Sequence, residues 1–544
     1  MKASTYYHTL KYLKLTQLYG QFVFRFKRPR IKFTTNASQK KVNAKWTLPI
    51  LELPQLSLPD RLTFLNQEKN ITDKDIWNSG TGDEKLWRYN LHYFDFVNSK
   101  NFSNEGSWSA SIIHRWIKEN PPVNGCGWDP YPISLRVVNW VKWILNGNIA
   151  SQEMLDSLYL QSRYLNKRIE FHILGNHILA NAKALLFAGL FFNGKESEAW
   201  FKKGLKLYNK QMKAQVLEDG GHFELSPMYH AIILEDLLDV INIFKTFDKE
   251  IDACWLKQCK KMFFWLQAMS HLDGDIAFFN DAAANVAPTL SQLHEYSNRL
   301  GLNNKLSNLD SVQSFSQSGY CRIQKNNMLL LADIGNIGAS YQPGHGHADV
   351  LSFELSLGSQ RMIVNSGTST YSESDERLRQ RSTHAHNTLV VDDKNSSHVW
   401  KSFRVGRRAR VRDIKIQKLN HFLLLKASHD GYYHADKIIH TRLWKIENNK
   451  LLIEDSVTGE GIHAVDIYFH FHPEIQVNQV QSNSFDVLTR SGLKIASIKM
   501  NNDSQLVEST YHPEFNVSIA NKKIVTKVYQ PLPAVFQTTI EFND

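Results

Sequence analysis

The chain has 544 residues, 42% of them hydrophobic and 22% charged, a length beyond one ordinary core that predicts two or three globular domains. Its net charge of +11 is not spread evenly: residues 1–51 carry 11 Lys and Arg and no acidic residue, and the remainder balances 53 basic residues against 53 acidic ones. A neutral body argues against a nucleic-acid enzyme, which carries basic charge on its folded surface as well, and four cysteines without a C-x-x-C pair argue against a zinc ribbon, a redox dithiol or a disulfide scaffold.

In the basic arm, Tyr12, Leu15, Tyr19, Phe22, Val23 and Phe26 recur at helical spacing. Lys14, Gln17, Gln21 and Arg25 interrupt them, so no signal-peptide core forms, and no apolar run of membrane-spanning length occurs elsewhere. Two readings stand. The helix lies on an anionic membrane face, a peripheral contact made through residues 1–45, or it docks on the protein's own body with a basic outer side. Residues 46–75, with Pro49, Pro54 and Pro59, read as an extended linker, which makes 1–75 an arm and linker. The missing leader sets a cytoplasmic expectation, at the inner membrane face, with the periplasm as the alternative.

Residues 76–310 read as helical. Apolar positions three and four apart predict helices over 151–168, 176–193, 196–216, 227–248 and 251–270. "NHILANAKALLFAGLFF" is apolar on every side, as an inner helix wrapped by outer ones would be, so a ring of paired helices is expected. The pattern then changes period. Leu351, Phe353, Leu355 and Leu357 alternate with Ser352, Glu354 and Ser356, and "HTRLWKIENNKLLIEDSV" reads as a hairpin turning at Asn448–Asn449. Residues 311–544 are therefore expected to form one antiparallel β-sandwich of two sheets. Thirteen Trp, 20 Tyr and 30 Phe suit thick cores, and also clefts where rings stack on sugars.

Three stretches carry reactive residues in apolar surroundings. In "FHILGNHILANAKAL", Asn176 and His177 open a buried helix, either as a cap or as donors facing a cleft. In "EDGGHFELSPMYHAIIL", Ser226 and Pro227 start a helix that places Tyr229 and His230 in its first turn, where the unpaired amides favour a phenolate. A buried Tyr with a satisfied hydroxyl is the plainer alternative. In "QPGHGHADVLSFEL", His345, His347 and Asp349 share parity with Leu351 and Phe353, so a strand extended backwards would turn both histidines towards the core. His384 and His386 form a second His-x-His pair, and two such pairs are able to converge on zinc.

Together "GNH", "FELSPMYH", "GHGHADVLSFEL", "NSGTSTY" and "RSTHAHNTLVVDD", in this order over about 220 residues, resemble the heparinase II/III family of polysaccharide lyases, and "GWDPYPISLRVVNW" is similar to that family's first toroid segment. The resemblance implies an incomplete (α/α) toroid followed by a large antiparallel β-sandwich. It implies β-elimination on an acidic, uronate-containing glycan, with Asn176 neutralising the carboxylate, Tyr229 as base and acid, and His345 assisting. His177, His230, Glu224, Trp128, Tyr131, Arg136 and Arg381 are expected as supporting or substrate-binding residues. His347 and His386 match ligands of a structural zinc, but the third ligand, an aspartate in that pattern, falls at Asn365, with Asp349 or His384 as substitutes. Two other functions remain open: a glycoside hydrolase using carboxylates among Asp219, Glu224, Asp273, Asp275 and Asp281, and a silent glycan-binding or assembly protein.

Overall fold

The computed structural model describes residues 3–49, 60–73, 75–78, 83–99, 106–304, 306–419, 421–433 and 437–543. The arm forms two helices, α1 (Ala3–Leu10) and α2 (Leu15–Phe26). The linker expectation holds only in part. Pro54 and Pro59 lie outside the described residues, and Arg61–Phe64 pairs with Gln67–Asn70 as a hairpin. Its turn residues Leu65 and Asn66 have φ of 54° and 59°. That turn normally advertises itself with glycine, and here it does not. Leu62 and Phe64 are buried, and the Trp87 indole N–H donates to the Gln67 carbonyl at 2.8 Å.

Up to Arg299, nine α-helices follow among the described residues: α3 (Asp83–Tyr93), α4 (Gly106–Glu119), α5 (Pro130–Leu145), α6 (Gln152–Lys167), α7 (Gly175–Phe191), α8 (Lys195–Gln215), α9 (Pro227–Thr246), α10 (Ala253–Ala268) and α11 (Leu290–Arg299). Their starts follow capping chemistry. Ser151 accepts the Met154 N–H, and Asp252 accepts the Cys254 N–H. Helix α7 is buried almost throughout and touches α5, α6, α8 and α9. It is the inner wall that its all-round apolar sequence predicts.

Beyond Arg299 antiparallel sheet dominates, interrupted by one short α-helix, Asp375–Gln380, which carries Arg377. An eight-stranded sheet runs from Val411–Lys418 to Gln476–Gln481, facing a five-stranded sheet and a four-stranded one. A bridge between Ile363 and Phe471 joins the smaller two, so the sandwich has two layers although three sheets are distinguished. One core, including Leu330, Phe353, Leu425, Trp444 and Phe469, fills the space between them. The hairpin at Asn448–Asn449 is present, pairing Ile439–Ile446 with Lys450–Thr458. The strand expected to run back to His345 begins only at Phe353. Residues 343–352 are a loop, and hydrogen bonds rather than strand parity aim its histidines.

Candidate active site

A cleft of 1940 Å³ lies between the toroid and the sandwich loops, with Tyr131, Asn176, His177, Tyr229, His345 and Tyr371 on its walls. Three non-glycine residues with left-handed backbone sit just upstream of site residues: Leu174 (φ 66°) before Gly175–Asn176, Leu225 (φ 61°) before the helix carrying Tyr229, and Asn280 (φ 58°) before Asp281. Each such residue costs on the order of 1–3 kcal/mol, and strain of this kind gathers at functional sites. Gly175, at φ 59°, has no room for a side chain. A Cβ there would lie 2.3 Å from Gln342 Oε1 and 2.4 Å from Glu224 Oε1. The toroid helix thus meets the histidine loop of the sandwich at van der Waals distance.

Asp281 is the hub. It is fully buried and accepts both Arg377 amino groups, His345 Nδ1–H at 2.9 Å and His347 Nε2–H at 2.9 Å. Burial alone would raise its pKa, but Arg377 and the two imidazoles hold it well below the usual carboxylate range. An ionised Asp281 fixes the His345 tautomer with the proton on Nδ1, leaving the Nε2 lone pair free. That nitrogen is 3.9 Å from Glu224 Oε2.

Glu224 accepts the Asn176 backbone N–H through Oε1 at 3.1 Å, while its Oε2 and the Asn176 side-chain oxygen are both buried and without partners. Burial pushes the Glu224 pKa up, towards the neutral acid. Next to them His177 bonds Glu170 at 3.1 Å and stacks on Tyr131 with centroids 4.3 Å apart. Burial would lower its pKa, but Glu170 and Glu224 outweigh that and push it up, towards imidazolium. The two unpartnered oxygens accept, so a carboxylate ligand would be met instead by the donors beside them, the Asn176 side-chain NH2 and the His177 ring N–H.

Tyr229 lies over His345, with ring centroids 4.0 Å apart and planes 31° apart, and its hydroxyl is 3.0 Å from that of Tyr371. The Ser226 cap places it, since the Ser226 hydroxyl accepts the Tyr229 N–H at 3.2 Å and donates to the Asp281 carbonyl at 2.6 Å. The expected bias towards phenolate is reversed. Burial, with Tyr371 and Asp281 nearby, pushes the Tyr229 pKa well up. The helix terminus contributes a few tenths to one kcal/mol, too little to overcome that desolvation.

Several residues expected in the cleft stand behind it. Arg136 is fully buried and donates to Gln161 Oε1, the His92 carbonyl and the Gly127 carbonyl at 2.7–3.0 Å. Trp128 is buried and donates to the Asn120 carbonyl. His230 stacks on Trp265 and bonds the Met262 carbonyl, and burial pushes its pKa down to about 3. These three fasten the toroid and do not line the cleft. Arg381 is also buried, but its guanidinium grips the Gly346 carbonyl at 2.9 Å, between His345 and His347. It shapes the loop.

For the zinc expectation, His347 Nδ1 and His386 Nε2 do meet, at 3.2 Å, and Asn365 lies beside them. The Asn365 oxygen, however, contacts the far nitrogen of His386 at 3.1 Å, His384 is turned away to Asp393, and Asp281 binds the far nitrogen of His347. Two facing donors fall short of the three or four that zinc takes, so the residues present do not fit the ion. They fit a hydrogen-bond chain instead. With Asp281 ionised, His347 donates from Nε2 and accepts at Nδ1 from His386 Nε2–H. His386 Nδ1 then needs a donor, which Asn365 supplies once its amide is turned, a choice that also satisfies its unpartnered nitrogen. An aspartate could not donate there. Elemental analysis of protein purified without chelator is expected to find far less than one zinc per chain, and a stoichiometric ion would overturn this chain.

Sequence reasoning named Asp281 only as a hydrolase carboxylate, and missed Arg377 and Tyr371. Tyr371 ends "NSGTSTY", a motif quoted for resemblance alone. Nothing local marks Arg377, which reaches Asp281 from 96 residues away.

An α-helical toroid packed on a β-sandwich, with a paired tyrosine and histidine in the cleft between them, defines a toroid–sandwich protein. The chain belongs to the heparinase II/III family. The model "Heparinase II/III N-terminus" matches residues 64–306 and "Heparinase II/III-like, C-terminal" matches 308–539. Among curated relatives it is 28% identical over 241 residues to "Heparin-sulfate lyase" of Bacteroides stercoris, covering 41% of this chain and 36% of the relative. It is also 28% identical over 269 residues to "Heparin-sulfate lyase" of Pedobacter heparinus, covering 45% and 40%. The matched segment thus spans less than half of either relative. In fold it is similar to "Crystal Structure of Heparinase III", with a TM-score of 0.68, 15% identity, and coverage of 86% of this chain and 79% of that one.

Proposed function

We propose that this chain is a polysaccharide lyase that cleaves an acidic, uronate-containing glycan by β-elimination. One observation carries the reading: a neutral phenol and a tautomer-fixed imidazole stand face to face beside the unpaired Asn176–Glu224 pocket. The uronate carboxylate would enter that pocket. The Asn176 amide N–H and the His177 ring N–H, whose pKa Glu170 helps push up, would disperse its charge as it becomes an enolate. His345 Nε2 takes the C5 proton, and Asp281 stabilises the imidazolium that results. The C4–O4 bond breaks, C4=C5 forms, and the Tyr229 phenol protonates the departing oxygen.

This assigns Tyr229 the acid role alone, where the resemblance implied base and acid, because burial keeps it a phenol at rest. The hydrolase reading keeps only Glu224, 3.9 Å from His345 Nε2, and loses the second carboxylate it needs. Asp219 bonds Ser318, Asp273 pairs with Arg361, Asp275 is exposed, and Asp281 is locked by Arg377. The deciding assay is ultraviolet absorbance of the unsaturated uronate formed on incubation with a panel of uronate glycans. Reducing ends without that absorbance would mean hydrolysis. Tight binding with neither signal would mean a silent module. The polymer itself is to be sought among lipid-linked surface-polysaccharide precursors as well as free glycans, which suits a chain acting at the inner membrane face.

A further inference from the structure

Helix α2 is amphipathic in the reverse sense. Its inward side is polar or small: Gln17 is buried and donates through Nε2 to the carbonyls of Ile173 and Tyr341, at 3.4 and 3.3 Å. Gly20 meets the backbone of Phe171 and His172 so closely that a Cβ would lie 2.8 Å from His172 N. The outward side is apolar. Leu15, Tyr19, Phe22 and Phe26, at i, i+4, i+7 and i+11, form one stripe exposed to 83%, 72%, 62% and 68%. Elsewhere in the arm Tyr7 and Phe33 are also exposed, to 66% and 61%. Single exposed apolar residues need no explanation, but a contiguous aromatic stripe marks an interaction surface.

The helix is held there firmly. Besides Gln17 and Gly20, Phe24 stacks on His172 at 3.9 Å, Lys14 lies over the Tyr341 ring at 3.5 Å, and Arg408 lies over Tyr12 at 3.9 Å. Toroid and sandwich are both gripped, so the stripe is not a segment waiting to fold back onto the core.

Charge identifies what covers it. Lys11, Arg25, Lys27, Arg28, Arg30 and Lys32 border the stripe and are exposed, and no acidic residue occurs in the whole arm. A second copy of this chain would set that basic rim against its own. An anionic bilayer complements both parts, with aromatic rings entering the headgroup boundary and cations meeting phosphate.

We propose that α1 and α2 form a fixed membrane-docking face that binds anionic lipid bilayers. The arm also walls one end of the cleft, through Tyr6 of α1, Tyr12 and Leu13 in the turn between the helices, and Gln17 and Leu18 of α2. A docked molecule would therefore hold its cleft beside the lipid surface, where a lipid-linked glycan is presented. Docking itself does not depend on the reaction in the cleft.

The full chain is tested by co-sedimentation with phosphatidylglycerol-rich vesicles and with phosphatidylcholine vesicles. Binding is expected to be at least tenfold tighter to the anionic vesicles and to weaken as salt rises. Leu15→Ser, Tyr19→Ser, Phe22→Ser and Phe26→Ser combined should reduce it at least tenfold, with an unchanged melting temperature, because all four side chains face solvent and none lines the cleft. Arg25→Gln, Lys27→Gln, Arg28→Gln, Arg30→Gln and Lys32→Gln combined should erase the preference for anionic lipid. Wild type that stays in the supernatant with anionic vesicles overturns the proposal. So does a dimer in light scattering that the serine variant dissociates while vesicle binding is absent.

Discussion

Tyr229→Phe is expected to lower kcat/KM on the cleaved glycan by about 10²–10⁴, the usual contribution of one positioned acid or base, with little change in binding. His345→Gln should lose as much. What separates the two is the leaving group. If Tyr229 only protonates the departing oxygen, a uronate carrying a leaving group at C4 that needs no proton should restore most of the Tyr229→Phe rate. The same substrate should not restore His345→Gln, because the C5 proton still lacks a base. The two facing rings have opposite electrostatic settings. Burial holds the Tyr229 phenol protonated, whereas ionised Asp281 keeps the His345 proton on Nδ1 and its Nε2 able to accept. Failure of the activated substrate to rescue Tyr229→Phe would return the base role to the tyrosine. Equal rescue of both variants would remove His345 from proton abstraction.

The sequence carried the architecture further than it carried the site. Helix positions follow from a local period, and α6 to α10 lie within a few residues of the ranges that spacing predicts. The change from period 3.6 to period 2 near residue 315 likewise marks the real boundary, since Val312–Phe315 is the first strand of the five-stranded sheet. Site residues obey no local period. Asn176, Tyr229 and His345 could be singled out because helix starts and glycine-flanked histidines are visible in a string. Asp281 could not be separated from other acids, because its role comes from Arg377 and two histidines more than 60 residues away. Arg136 and His230 were misplaced for the converse reason. They sit in quoted motifs, but the carbonyls that claim them come from Gly127, His92 and Met262. Burial also decides what a motif cannot: Ser226-Pro227 predicts the helix start correctly, yet the protonation state of Tyr229 depends on what covers it.

Acidification from pH 7 to 4.5 is expected to destabilise both halves of the protein by several kcal/mol. Burial pushes His92, His230 and His470 down to about 3, and His347 down to about 4. An unfolded histidine titrates near 6.5. Between that value and the folded one the unfolded chain binds more protons, so stability rises with pH and falls as pH drops through the window. Geometry shows why the folded rings refuse the proton. His92 donates to the Trp77 carbonyl and accepts from the Trp116 indole N–H, and His230 donates to the Met262 carbonyl and accepts from the His222 N–H. A second ring proton would face an N–H in each case. At pH 4.5 each of the four lies two units below its unfolded pKa, which costs ~3 kcal/mol per residue. Carboxyls raised by burial act the opposite way, since Asp95 and Asp349 are pushed up to about 6 and Glu235 to about 7, and acid relieves them. They cancel part of the total, as do Asp333 and Glu224, also pushed up by burial, whereas His222, His386 and His429 are pushed well down and add to it. Asp281, held far below the ordinary range, enters only at lower pH. A net loss of this size is a large fraction of the ~5–15 kcal/mol that holds a domain together. Urea midpoints measured from pH 7.5 to 4.5 should fall steeply below pH 6.5, and a flat profile would mean that these rings accept protons in the folded state.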